Sequence, residues 1–551
     1  MVCLEDKNPV HESAEGWLVK DVTKKMGDDM SQEKETPNMI SRRGFVKGAA
    51  LGAGALAGAS ALAACGSAAP IPATGMPESW DDEADVVVVG FGGAGGAAAI
   101  EAAGAGAKVL VLERTPTGGG STAICGGIIY MGGGTPLQLT LGFEDSRDNM
   151  YDYVFAAAGD GADEELIGLF CDKSLELYDW VTGLGVQFNE SFMEMKAAGD
   201  PTGDGLLYSG NEKQAKYKAV ADPAPRGHGA FADGYVGGHA IFAALKPATE
   251  ASGAEILYEV LVTSLVVNGD GRVVGVEAEV EGQKNYFKAN KGVILCAGGF
   301  AANAEMVARH APSCLRCAAN VGTPGDDGSG IRMGQGARGD VRMLGETAPF
   351  AFVYGAAECL CRSILVNGKG QRFIGEDNYG EWIGDLIVRD HNVAYLILDD
   401  AVWSMVPEAS KESLTVVAQA DTIGELAQAV GIEPGLLENT LELYNGFAAD
   451  GEDPLFEKDS AYVVPLETPP FYALFFGVEA TAFFTNGGLR INAKSQVLDV
   501  NGELVPGLYA AGRNAFAVPA RNYVASGVAV AEVLTFGRIA GQTAAAEETA
   551  E

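Results

Sequence analysis

Six residues, Gly90-Phe91-Gly92-Gly93-Ala94-Gly95, fit G-x-G-x-x-G directly after a run of valines and directly before an alanine-rich stretch. That spacing serves pyrophosphate binding. The first glycine makes a tight turn, the second lets backbone approach the phosphates, and the third lets a helix pack on the strand with its N-terminus toward the ligand. A second strand, KVLVLE, ends on Glu113, eighteen residues after Gly95, where a carboxylate can accept from ribose hydroxyls. NAD and FAD both meet these requirements.

The residues that follow separate the two cofactors. After Glu113 and Arg114 comes a second glycine-rich loop, with Gly120, Ser121 and Thr122, then Gly126 and Gly127 behind Cys125. It offers N–H groups and hydroxyls to a longer, phosphorylated ligand. Far downstream, a strand ending in Ala297-Gly298-Gly299 and another ending in Gly512-Arg513 precede a helix expected over 527–537, which carries Val528 and Ala529. A ligand reached from both ends of the chain must be extended.

The stretches DVVVVGFGGAGG, LERTPTGGGST, KGVILCAGGF, GQRFIGED and TNGGLRINAKSQVLDVNGELVPGLYAAGRN, with TFGRIAG near the end, span residues 81–545. Together they resemble the flavoprotein subunits of fumarate reductase and their relatives, the 3-ketosteroid dehydrogenases and other exported enone reductases. The resemblance implies noncovalent FAD, with its isoalloxazine ring between the nucleotide domain and an inserted capping domain. It does not carry over the fumarate site. Phe483-Phe484 stands where that family has a His before T-x-G-G, and Gly380 stands four residues after Glu376 where it has an Arg.

RFIGEDNYGEW, with Tyr379, looks instead like the E-D-x-Y segment of steroid 4-dehydrogenases. RNYVASG, with Tyr523 and Gly527, fits the Y-x-x-x-G of 3-ketosteroid dehydrogenases. The resemblance assigns the Tyr523 hydroxyl and the Gly527 N–H to a ketone oxygen, and Tyr379 to proton exchange at the adjacent carbon. Hydride transfer to an enone builds enolate charge, which two aimed donors stabilise by roughly a few kcal/mol each. A positive or hydrogen-bonding neighbour is expected to lower the tyrosine pKa enough to move the proton. Arg521 or Arg389 would hold a substrate carboxylate in the competing reading, a respiratory reductase of small unsaturated acids. A non-catalytic electron relay is the alternative outside enzymes. His228 reads as structural, and the aromatic run at 469–476 as either cleft wall or domain core.

The expected scaffold is α/β: a discontinuous, Rossmann-like FAD-binding domain (81–335 and 478–545) with an inserted α+β capping domain (336–477). Residues 164–185 read as one amphipathic helix, and 268–271 as a hairpin turn. The chain has 551 residues, 75 of them glycine, and a formal charge of -36, which argues against nucleic-acid partners. Residues 1–40 are a polar extension of no assigned role. Residues 41–65, with Arg42 and Arg43, resemble a twin-arginine export signal ending in a lipobox at Cys65, the one expected membrane attachment, and 66–80 read as a linker. The Cys314–Cys317 spacing lacks the companions of a zinc site, no metal is expected, and no covalent haem motif occurs, so a separate electron-transfer partner is expected.

Overall fold

The computed structural model describes residues 67–195, 202–232, 235–351 and 357–549. The polar extension, the export signal and Cys65 lie outside them. Within the described residues no helix is long and apolar enough to cross a membrane.

Consecutive valines at 86–89 leave no polar face, so the strand they form must be covered on both sides. It is central in an eight-stranded sheet made of β1 (Asp82–Val89), β2 (Val109–Leu112), β3 (Glu255–Leu257), β4 (Val260–Val267), β5 (Val273–Val280), β6 (Gln283–Leu295), β7 (Gln496–Leu498) and β8 (Leu504–Ala510). Five strands run parallel in the order β3-β2-β1-β6-β8. The length of β6 lets its first half pair antiparallel with β5 while its end pairs with β8. β4 and β5 join through the expected turn, closed by a Gly271 N–H to Asn268 carbonyl bond of 3.1 Å with Gly271 at φ +82°.

Two helices meet beside this sheet, α1 (Gly93–Gly104) and α2 (Val528–Ala546). Gly537 does not end α2, as the sequence suggests. A Cβ on Gly537 would lie 2.5 Å from the Ala94 carbonyl oxygen, and one on Gly541 would lie 2.2 Å from that of Ala98. These glycines let the two backbones touch. Gly537→Val is therefore expected to cost about 3 kcal/mol and to lower the thermal midpoint. Gly446→Ala, in a helix where nothing lies within 4 Å of the added carbon, should instead stabilise by about 0.5–1 kcal/mol.

A separate apolar core, including Leu365, Leu396, Leu426, Leu437 and Leu474, forms around a four-stranded antiparallel sheet. Its strands are Ile364–Asn367, Ala394–Asp399, Val416–Ala420 and Phe471–Phe475. The aromatic run at 469–476 is thus domain core: Phe471 and Tyr472 are buried in it. The helix read over 164–185 breaks at Lys173 into Glu164–Asp172 and Ser174–Gly183. Residues 67–74, part of the segment read as a linker, are docked on the domain. Arg332 Nε donates to Ala69 O at 2.7 Å, Ile71 N–H to Arg332 O at 2.9 Å, and Thr74 N–H to Leu265 O at 2.8 Å.

Candidate active site

Strands β1, β2, β6 and β8 are parallel, so the loops after them converge on one edge of the sheet, where ligands of such sheets bind. Gly90 takes φ +99°, and a Cβ there would meet Cys296 O at 2.6 Å; one on Gly95 would meet Gly90 O at 1.9 Å. Those two glycines serve the turn and the helix–strand contact. Gly92 and Gly126 face space: the nearest atom to an added Cβ is 3.8 Å away at Gly92, and none lies within 4 Å at Gly126. α1 and α2 begin at Gly92 and Gly527, neither of which supplies a side-chain cap. Helix ends of this kind leave N–H groups for a bound anion or carbonyl to satisfy.

Several expected cofactor residues tie these loops together. Glu113 accepts the Phe91 N–H at 2.7 Å, and the Thr115 N–H and hydroxyl at 2.8 and 2.7 Å. Thr122 Oγ1 accepts the Gly93 N–H at 3.1 Å, and Arg114 pairs with Asp327 at 2.8 Å. Gly120 opens a short helix that contains Ser121 and Thr122, and Gly127 turns against Gly237 with φ +78°. Sequence reasoning missed the residue at their junction. Buried Asp326 accepts from Ser121 Oγ (2.7 Å), Gly299 N–H (2.8 Å), Thr323 N–H (3.1 Å) and Arg513 (2.8 Å). Asn514, also missed, accepts the Ala297 N–H at 2.6 Å and donates to Gly298 O at 2.5 Å. The glycine-flanked acids of TPGDDGSG were the available signal.

Tyr379 and Tyr523, far apart in sequence, stack with ring centroids 6.4 Å apart and an interplanar angle of 26°. Both are buried. The Tyr379 hydroxyl donates to Glu381 Oε1 at 2.7 Å and shares a 2.7 Å hydrogen bond with Ser526 Oγ. The Tyr523 hydroxyl accepts the Ala529 N–H at 2.9 Å, which leaves its own proton free to donate. Phe484 packs edge-on against Tyr523 at 5.0 Å, while Phe483 turns into the second core. Gly527, at φ +95°, starts α2, and its carbonyl accepts from Tyr130 N–H at 3.1 Å. Asn211 fixes the Tyr379 backbone by accepting its N–H at 2.8 Å, a contact no local pattern announces.

The loop before Tyr379 is held by a buried charge cluster. Glu376 pairs with Arg372 at 2.8 Å and Lys458 at 2.9 Å, and Arg372 also pairs with Asp453 at 2.8 Å. The two acids of E-D-x-Y are thus structural in part, since Asp377 accepts the Asp459 N–H at 3.0 Å.

The chain matches the family described as "FAD binding domain" over residues 85–529. It belongs to that family. FAD is therefore its cofactor, and the two open glycine positions and the two helix ends with glycine at the N-cap fit such a ligand. Among solved structures, the chain is similar to 3-ketosteroid-delta4-(5alpha)-dehydrogenase from Rhodococcus jostii in complex with 4-androstene-3,17-dione: 41% identity, TM-score 0.82, covering 86% of this chain and 100% of that one. It is 30% identical to urocanate reductase of Eggerthella lenta over 85% of this chain and 76% of that protein. It is 26% identical to NADH:acrylate oxidoreductase of Vibrio harveyi over 84% of this chain, and spans 50% of that protein's length.

Three sequence expectations change at the tyrosine pair and the arginines. Burial raises the pKa of both Tyr379 and Tyr523, with nearby Glu381 adding to the effect, so neither phenol is tuned down. Arg389 and Arg521 are already engaged: Arg521 pairs with Asp385 at 2.9 Å and with Glu346 at 3.6 Å, and Arg389 pairs with Asp385 and, at 2.6 Å, with Glu346. The Ala529 N–H serves Tyr523. His228 is buried, with Nε2 2.9 Å from Thr135 Oγ1 and Nδ1 3.0 Å from Arg226 O, and burial lowers its pKa to about 4, as a structural neutral imidazole requires.

Proposed function

We propose that this flavoprotein adds or removes hydrogen across a C=C bond conjugated to a carbonyl, on a flat apolar ketone of the 3-ketosteroid kind. The reading takes residues 81–335 and 478–545 as a Rossmann-like FAD domain and 336–477 as its cap. The observation that carries it is the buried, stacked tyrosine pair. The bound flavin supplies or accepts the hydride. In the reducing direction Tyr523, held by Ala529, donates to the carbonyl oxygen together with the Gly527 N–H, and Tyr379 protonates the α carbon. Dehydrogenation reverses these roles. The steroid-binding relative at 41% identity supports this substrate class.

Two arginines neutralised by two acids make a poor receptor for a substrate carboxylate, since binding would have to break existing ion pairs. The urocanate reductase relative nevertheless supports a second reading, in which Arg521 leaves Asp385 to take an unsaturated acid. Export to the outer face of the cytoplasmic membrane or the periplasm, lipid attachment at Cys65 and a separate electron partner belong to the same proposal. The test is anaerobic reduction of the purified protein, then reoxidation with a panel of enones and unsaturated acids. Cyclic enones should reoxidise it, and Tyr523→Phe should lower kcat/KM for them by roughly 10²–10³. Full turnover by that variant would overturn the assignment. Reoxidation by acids alone would select the second reading, and by nothing at all an electron relay.

A further inference from the structure

Glu381 was not singled out by any motif, yet it lies under the reacting tyrosine. Its carboxyl is buried at 7% exposure, bonded through Oε1 to the Tyr379 hydroxyl at 2.7 Å, while Oε2 is buried with no hydrogen-bond partner among the described residues. A purely structural glutamate at such a position would be expected to have both oxygens satisfied. The Tyr379 hydroxyl is 2.7 Å from Ser526 Oγ on its other side. A phenol between two such neighbours can donate to one while accepting from the other, so the chain can be polarised either way.

We propose that Glu381 is the positioning residue that holds the proton behind Tyr379, resting on the enone reading above. In the reducing direction the hydride brings the pair that forms the β C–H bond, the C=C π bond breaks, and its pair, held as the enolate, forms the α C–H bond as the Tyr379 O–H bond breaks. The Glu381 O–H bond then breaks as Tyr379 O–H re-forms, and the carboxylate takes a proton from water. In dehydrogenation the carboxylate receives the proton that Tyr379 removes from the α carbon.

The surroundings agree. Burial pushes the Glu381 carboxyl up to about 8, and the titratable groups facing it are Tyr379 and, across the stack, Tyr523. Tyr523 in turn faces Glu532, itself raised to about 8 by burial, and Cys125. Glu381 is thus loaded to donate below about pH 8 and to accept above it.

The test compares wild type, Glu381→Gln and Glu381→Asp as FAD-loaded proteins, in both reaction directions, on either side of pH 8. Wild-type enone reduction should fall about tenfold per unit above that inflection, and dehydrogenation should fall likewise below it. Glu381→Gln, of the same shape, should lose both inflections and slow both directions about 10- to 100-fold at unchanged KM, and Glu381→Asp should restore the inflections. Independently of turnover, an infrared titration should show a buried protonated-carboxyl band that ionises near pH 8 and is missing in Glu381→Gln, with the Glu532 band as internal control. A wild-type pH profile and an undiminished band in Glu381→Gln would overturn the inference while leaving the enone reading intact. A wild type reoxidised by no enone, with the band titrating as expected, would instead defeat the enone reading.

Discussion

Tyr379→Phe is expected to lower turnover with cyclic enones by roughly 10²–10⁴ without changing FAD content. The ring is retained, so its stack on Tyr523 and its burial survive, and only the hydroxyl bridging Glu381 and Ser526 is lost. The structural cost is about 1–2 kcal/mol, because Glu381 can stay neutral and Ser526 can turn toward another acceptor. The catalytic cost is larger, since no other acid in the described structure is bonded to this position. Anaerobic stopped-flow reoxidation checks it. Hydride and proton transfer separate there: the variant should still bind the ketone through Tyr523, with KM within about threefold of wild type and the loss in kcat. Equal kcat in the two proteins would remove Tyr379 from the proton path.

The parts of this site that sterics alone impose were legible in the sequence. Gly90 and Gly95 have no room for a Cβ, and that exclusion is what the G-x-G-x-x-G spacing encodes. Gly537 and Gly541 obey the same steric rule, yet Gly537 reads as a helix end in the sequence because the surface the two pack on, Ala94 and Ala98, is hundreds of residues away. The tyrosines were named only through resemblance, since nothing local to either says that they stack. Asp326, Asn211 and Glu381 escaped for the same reason: each matters through partners brought together by tertiary structure. The tyrosine pKa values were misjudged because sequence neighbours suggest charge, whereas burial, which sets the direction here, is a property of the fold. Phe483 and Phe484, adjacent in sequence, face opposite ways because strand residues alternate, one into a core and one onto Tyr523.

Asp326→Ala should yield protein that purifies largely without FAD, or binds it at least about 10²-fold more weakly. Asp326 joins the loop after β2, through Ser121, to the loop after β6, through Gly299, and to the loop after β8, through Arg513. All three loops carry expected cofactor contacts. Its removal would leave the mostly buried Arg513 without its carboxylate and the Gly299 N–H without its acceptor, while the Thr323 N–H would keep only its 3.3 Å bond to Ser121 Oγ, a change of the class that costs about 3–5 kcal/mol. The penalty falls on the arrangement of the cradle, because the bonds of this side chain run to Ser121, Gly299, Thr323 and Arg513 in those loops. Thermal midpoints with and without added FAD distinguish the cases: wild type gains stability in proportion to RT ln(1 + [L]/Kd), and the variant should gain much less at the same concentration. Asp326→Asn, which retains an acceptor but not the charge, should fall between them. A variant that loses stability but keeps stoichiometric FAD would make Asp326 a general brace of the fold; loss of FAD at a nearly unchanged apoprotein midpoint would place its role in holding three separate loops to one ligand.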